Sequence, residues 1–281
     1  MLRPIGFQSL DEAQPVLARG FPSAPAAFWK NGLARLKRYG AADPDGRAAY
    51  LLRANGTDVG VILTIPSHRE NHGQTQPVVN LSSWYVDEPH RWRAPRMLQQ
   101  VVASDTTLFT DLTATPPVRA MIGHFGFQNW TEGTLLFMLP LSALGTGKGA
   151  HVFPLEKLPS NAFAPAIQRT MSDHAELGCI AAGLWDDDSL HPLIFSRTKR
   201  YGVPIARLVY AENRTLVTTH IATIARFLLR EKFLLLAMNA DARERVAGSI
   251  FTTWPAPAFY KGSAIPQQCD LTYSEYVFLQ I

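Results

Sequence analysis

The sequence predicts an α/β protein of two domains with mixed sheets, and three observations predict it. At 281 residues the chain is long for one core, since single domains typically hold roughly 100–150 residues. Apolar residues alternate at period two in some stretches and recur at helical spacing in others. An Asn-Gly dipeptide calls for antiparallel neighbours, whereas a strand, helix, strand run from Val78 to Leu112 calls for a right-handed parallel crossover.

The opening reads as a short strand, Ile5 to Leu10, followed by two helices. Asp11 can cap the first, and Ser23-Ala24-Pro25 opens the second, which runs through FWKNGLARLKRY to Tyr39 and Gly40. Strands follow at Ala48 to Arg53 and Asp58 to Pro66, joined at Asn55-Gly56. A polar loop, SHRENHGQTQ, leads to the alternating strand VVNLSSWYV. Met97, Leu98, Val101 and Val102 then lie at helical spacing, so that segment packs one face on a sheet. Leu108 to Leu112 is a buried strand, Thr115-Pro116-Pro117 starts a helix, and Gly133 to Pro140 supplies a further strand. GTGKG at Gly145 to Gly149 and the Pro-rich stretch to Pro165 read as the connection between domains.

In the second half, Cys179 to Leu184, Leu193 to Thr198 and Ile205 to Tyr210 read as strands. A helix from Thr219 to Glu231 and a strand from Phe233 to Met238 follow. Leu271 to Leu279 reads as a closing alternating strand that mirrors Gly133 to Pro140. The element order repeats loosely without a detectable sequence repeat. This places the domains at residues 1–147 and 160–281.

Composition excludes several classes of function. A hydrophobic share of 47% against 18% charged residues is that of a folded chain rather than a disordered one. The net charge of +4 suits an anionic ligand, yet no block of Lys and Arg with interleaved aromatics marks a nucleic-acid surface. Cys179 and Cys269 lack metal-ligand spacing, so neither a zinc site nor a disulfide framework is expected. The N-terminus lacks a signal-peptide apolar run, and no stretch approaches the length of a membrane span, so a cytoplasmic location is expected.

The most informative stretch is Val78 to Phe127: a strand, the arginine-rich turn DEPHRWRAPR, a helix, a strand, and a short helix closing on Gly126-Phe127. In this order the chain resembles the GNAT acyltransferases. The resemblance implies two GNAT-like domains in tandem, the first carrying the acyl-CoA turn and the second more divergent. It implies acetyl-CoA or another acyl-CoA as co-substrate, without a metal, and a small-molecule or peptide acceptor attacked directly through its amine or hydroxyl. Neither nucleic acid nor membrane is expected as a partner, and the oligomeric state is left open, a homodimer included. Arg91, Arg93, Ala94 and Arg96 correspond to the phosphate-binding turn, where N–H groups at a helix start and guanidinium forks can meet a pyrophosphate. Pro95 removes one such donor. Trp84, Tyr85 and Val86 correspond to the strand whose backbone pairs with the pantetheine amides. Trp84 and Val86 share one face and Tyr85 the other.

Base candidates are Asp87 and Glu88, which could instead pair with Arg91 and Arg93. The family's acid is commonly a tyrosine four residues before Gly-Phe. Ile122 stands there, leaving His124 as the nearby titratable group, unless it is a surface residue at a helix end. Two other readings stand beside the transferase. One is an inactive GNAT-derived module binding a small anion or a protein partner. The other is a two-domain cleft walled by aromatics such as Trp29, Trp130, Trp185 and the Trp254-Pro255-Ala256-Pro257 loop, taking a peptide or saccharide. His220, Asp241 and Glu275 are polar residues near strand ends of the second half, and Tyr260-Lys261-Gly262 reads as a basic turn. No Gly-x-Ser-x-Gly elbow supports a hydrolase.

Overall fold

Asn55 and Gly56 both adopt positive φ, 49° and 79°, the backbone that a two-residue hairpin turn requires. The hairpin they close seeds the first of two sheets in the computed structural model, which describes residues 1–42, 46–71, 74–147, 149–186, 189–241, 244–254 and 257–281. In chain order the elements are β1 (Leu2–Gly6), α1 (Gln14–Gly20), α2 (Ala26–Tyr39), β2 (Arg47–Ala54), β3 (Thr57–Asn71), β4 (Gln74–Val86), α3 (Ala94–Val101), β5 (Leu108–Asp111), α4 (Pro116–Ile122) and β6 (Gln128–Thr131). Then come β7 (Gly133–Met138), α5 (Leu139–Ser142), β8 (His151–Pro154), α6 (Pro165–Glu176), β9 (Ile180–Asp186), β10 (Ser189–Arg200), β11 (Val203–Ala211), α7 (Arg214–Thr219), α8 (Ile221–Arg230), β12 (Leu235–Ala240) and β13 (Ser249–Thr252). The chain closes on β14 (Ala258–Lys261) and α9 (Glu275–Phe278).

The strands form two 7-stranded sheets, ordered β1-β2-β3-β4-β5-β14-β6 and β13-β7-β12-β11-β10-β9-β8. Each is mixed: β4 runs parallel to β5 and β11 parallel to β12, whereas β3 with β4 and β10 with β11 are antiparallel. Helix α3 buries Met97, Leu98 and Val101 against Val86, Leu81 and Phe109 on one face of the first sheet, as its apolar spacing predicts. In the second sheet, α8 buries Ile224, Ala225 and Leu228 in a core with Phe137, Phe195 and Leu236.

The chain divides into two units that interleave in sequence. Unit 1 comprises Met1–Trp130, Ala258–Ile265 and Tyr273–Leu279; unit 2 comprises Thr131–Pro257, Pro266–Thr272 and Gln280–Ile281. This differs from a division at 1–147 and 160–281, because β7 pairs with β12 and β13, whereas β14 pairs with β5. Long-range pairing decides membership, and a linear reading cannot see it.

Other local expectations shift for identifiable reasons. The polar stretch after Pro66 continues the hairpin: Ser67 to Asn71 pair with Val78 to Gln74, and only His72 and Gly73 of that stretch lie outside the described residues. Lys148 of the expected connection is likewise outside them. The helix expected at Thr219 to Glu231 breaks at His220 into α7 and α8. Tyr260 and Lys261 belong to β14 rather than a turn.

Leu271 to Leu279 is not a strand. Tyr273 takes φ 52°, and Glu275 to Phe278 coil into α9 with every side chain buried. The alternation there therefore reflects burial on all sides. This segment packs on α2, where a Cβ at Gly32 would lie 2.5 Å from Leu279 Cδ2 and 3.6 Å from the Phe278 carbonyl oxygen, so a side chain there would have to displace Leu279. Arg35 donates to the Phe278 carbonyl at 3.0 Å, and Tyr39 stacks on Tyr273 at 5.2 Å between ring centroids.

Candidate active site

The site in unit 1 begins where β4 and β5 part. Val78 to Leu81 pair with Leu108 to Asp111, and there β5 ends. β4 continues to Val86 with β3 as its partner, Ser82 opposite Leu63 and Tyr85 opposite Val61. The register shifts between Val61 and Leu63, where Ser83 sits at φ 52°. This is a bulge, one extra residue that bends the strand and strengthens its twist, and it turns the end of β4 away from β5.

Beyond Leu81, the edge of β4 that faced β5 has no strand partner among the described residues. The Asp87 N–H donates to the Val59 carbonyl at 2.7 Å, so Asp87 and Tyr85 direct their backbones towards β3. Trp84 and Val86 direct theirs to the opposite edge. The side chains alternate as expected: Val86 is buried against α3 with Trp84 partly buried beside it, while the Tyr85 ring faces Phe21, 6.3 Å away.

The arginine turn is a 3-10 helix, Glu88–Arg93, that runs into α3. The Ala94 N–H is therefore already spent on the Arg91 carbonyl, and Pro95 has none. What the turn offers is side-chain charge. Arg93 and Arg96 line a cleft of about 730 Å³ together with Arg47, Tyr50 and Trp92. The Arg93 guanidinium lies 4.7 Å over the Trp92 ring, a cation–π contact, and Trp92 is 73% exposed. Arg91 is exposed.

The acid–base candidates are dispersed. Asp87 is ion-paired with Arg19 of α1 at 2.9 Å, rather than with Arg91 or Arg93. It also bonds the Tyr85 hydroxyl, whose pKa is raised by burial and by this carboxylate. Glu88 and His124 are both exposed, the latter in the 3-10 turn Gly123–Phe125.

The structure instead brings together groups from the two ends of unit 1 at the mouth of the splay. The Glu275 carboxyl, on α9, accepts from Ser82 Oγ of β4, from Thr113 Oγ1 at 2.9 Å, and from the Leu112 backbone. Its N–H donates to Asn80 Oδ1 at 2.8 Å, and Asn80 Nδ2 donates to Thr110 Oγ1 at 3.1 Å. Tyr276 Oη donates to the Leu112 carbonyl at 3.1 Å. Glu275 is 1% exposed; burial, reinforced by the nearby Asp111 charge, pushes its pKa up to about 8. Burial likewise pushes Asp111 up to about 7. The sequence reads Glu275 as a polar residue near a strand end of the second half, whereas Tyr273–Leu279 belongs to unit 1. The available signal was a lone acid in the apolar run Glu275-Tyr276-Val277-Phe278-Leu279, because a carboxyl carried into a core needs built partners.

Unit 2 repeats the parting of strands but closes it. β11 and β12 pair from Ile205–Leu235 to Arg207–Ala237. Beyond that, the edge of β11 is taken by the chain itself: Leu271 N–H donates to the Val209 carbonyl at 2.7 Å and Ala211 N–H to the Cys269 carbonyl at 3.0 Å. His220 is held by Asp186 at 2.8 Å and Asp241 by Gln268 at 3.1 Å. Trp254 packs under the guanidinium of Arg200 at 4.3 Å, while Pro255 and Ala256 of its loop lie outside the described residues. Among the described residues, no cluster of His, Cys, Asp and Glu is arranged to hold a metal, and no helix is long and apolar enough to cross a membrane.

No protein-family model matches the chain, and no curated protein matches it. Solved structures do. A GCN5-related N-acetyltransferase from Anabaena variabilis superposes with a TM-score of 0.57 at 11% identity, over 92% of this chain and 72% of that one. A provisionally assigned acetyltransferase from Pyrococcus horikoshii gives 0.57 at 12% identity over 97% and 92%. A GCN5-related N-acetyltransferase from Kribbella flavida gives 0.55 at 12% over 92% and 70%. With its two mixed sheets, each parted between parallel strands, the chain therefore has the tandem fold of the GCN5-related N-acetyltransferases.

Proposed function

We propose that unit 1 transfers an acyl group, acetyl in the simplest case, from acyl-CoA to an amine or hydroxyl. The observation that carries this reading is the bulged end of β4, where Trp84 and Val86 turn their backbones to an edge that β5 does not occupy. Pantetheine amides pair with such an edge as an added strand would. A backbone N–H there polarises the thioester carbonyl, stabilising the oxyanion that forms on attack. The phosphates meet Arg93 and Arg96, with Arg91 flanking; guanidinium forks replace the helix N–H groups that Ala94 and Pro95 do not offer. Asp87 and Glu88, which follow the end of β4, and His124, in the turn after α4, are the proton-handling candidates carried over from the resemblance. The closed edge in unit 2 favours a single acyl-CoA site per chain.

Isothermal titration with acetyl-CoA tests the reading. One mole bound per mole of chain, weakened in Arg93→Ala by roughly 1.5–3 kcal/mol, is expected. No heat and no thermal shift with acetyl-CoA or longer acyl-CoAs would favour a non-catalytic module instead.

A further inference from the structure

Neighbouring residues on a strand point to opposite faces, yet Ser82 Oγ and Ser83 Oγ lie 3.1 Å apart. The left-handed backbone at Ser83 brings the second hydroxyl round to the first. Ser82 in turn bonds Glu275 Oε2. The result is a continuous hydrogen-bonded chain from partly exposed Ser83, through buried Ser82, to a fully buried carboxyl. It enters on the side of the sheet covered by α2 and α9, because Glu275 reaches it from α9. We infer that Ser83, Ser82 and Glu275 form a proton relay, which draws the acceptor's proton from the open part of the splay to a carboxylate supplied by the C-terminal segment.

The inference rests on the acyl-transfer reading of the same site and adds to it the route of the proton. The acceptor's lone pair forms the new bond to the thioester carbon as the carbonyl electrons move onto oxygen. Its proton passes to Ser83 Oγ, the Ser83 proton to Ser82 Oγ, and the Ser82 proton to Glu275. On collapse the carbonyl reforms, the C–S bond breaks and the thiolate leaves; the proton returns along the two hydroxyls to solvent. Glu275 acts through the serines and does not touch the acceptor. A strut holding β4 to Thr113 would need no ionisable group, and a buried acid is a costly way to make one. From β5, Asp111 faces the carboxyl. From α2, Arg35 and Tyr39 meet the segment at the Phe278 carbonyl and the Tyr273 ring.

The test uses the full chain with acetyl-CoA and a mixture of ethanolamine, a diamine and a lysine-containing peptide, following thiol release against pH. Acetyl-CoA affinity and unfolding midpoint are measured alongside. Glu275→Gln keeps the shape of the carboxyl and one acceptor oxygen, while its NH2 group can only donate, so the serine or threonine hydroxyl facing it must turn to accept. It is expected to lower kcat about 100-fold or more and to remove the rising limb of the pH profile near 8, with affinity and fold unchanged. Ser83→Ala, at a partly exposed position, lowers kcat by a smaller factor. Unaltered rate and pH profile in Glu275→Gln would overturn the relay and leave acyl transfer standing. Wild-type protein that binds acetyl-CoA but releases no thiol at any pH removes the relay also, whereas failure to bind acetyl-CoA at all overturns the acyl-transfer reading itself.

Discussion

Thr113, just past the end of β5, donates its hydroxyl to the Glu275 carboxyl at 2.9 Å, so a residue near the C-terminus completes the space between two strands laid down in the first half of the chain. In unit 1 the C-terminal segment sends in a side chain and leaves the edge of β4 free; in unit 2 the segment ending at Thr272 pairs its backbone with β11 and fills the equivalent edge.

Glu275 and Asp111 keep their protons to higher pH in the fold than in the unfolded chain, to about 8 and about 7. Their contribution to stability is complete below about pH 4 and declines as pH rises through those values. The urea midpoint of unit 1 should fall between about pH 5 and about pH 9, and Glu275→Gln should flatten much of that slope. A midpoint independent of pH in wild type would show that both carboxyls ionise freely.

His174 gives unit 2 the opposite response. Buried in α6, with Nδ1 2.7 Å from the Thr170 carbonyl, it is kept neutral, its pKa lowered by burial to about 4. Stability from this group is present above the unfolded value near 6.5 and is lost as pH falls through about 4. Protection factors of unit 2 amides, corrected for the intrinsic pH dependence of exchange, should fall over that range, and His174→Asn should remove the dependence. An unchanged pH response in the variant would point to other groups.

Gly32→Leu is expected to displace Leu279 and loosen the C-terminal segment, costing about 1–3 kcal/mol by overpacking. Differential scanning calorimetry checks this; a variant as stable as wild type would mean that the segment does not pack on α2.

Asn80→Ala leaves the Glu275 N–H buried without its acceptor, at a cost of about 1–3 kcal/mol. Denaturant titration reads the cost directly. A change under half that would show another acceptor taking over.

Much of this architecture could be read from local chemistry. Asn55-Gly56 announces its hairpin, Met97, Leu98 and Val101 announce the inner face of α3, and the alternation of Trp84, Tyr85 and Val86 assigns each to its face. These signals rest on neighbours within a turn or a strand. The rest rests on distance in sequence. Nothing near Asp87 shows that Arg19 will hold it, nothing near Lys261 shows that its strand joins β5, and nothing near Glu275 shows Ser82 and Thr113 waiting for it. The bulge at Ser83 was hidden because serine is an ordinary strand residue whose left-handed backbone is imposed by the register of β3 against β4. The arginine turn was legible as charge but not as a 3-10 helix, since Pro89 and Pro95 fit a helix start as readily as a loop.

Hydrogen exchange with and without acetyl-CoA addresses the splay most directly, because it needs no acceptor. Protection should rise at the amides of Trp84 and Val86, on the edge of β4 that β5 does not occupy, and stay unchanged at Ala211, whose N–H already donates to the Cys269 carbonyl. Protection gained in unit 2 alone, or at neither edge, would contradict a pantetheine site between β4 and β5.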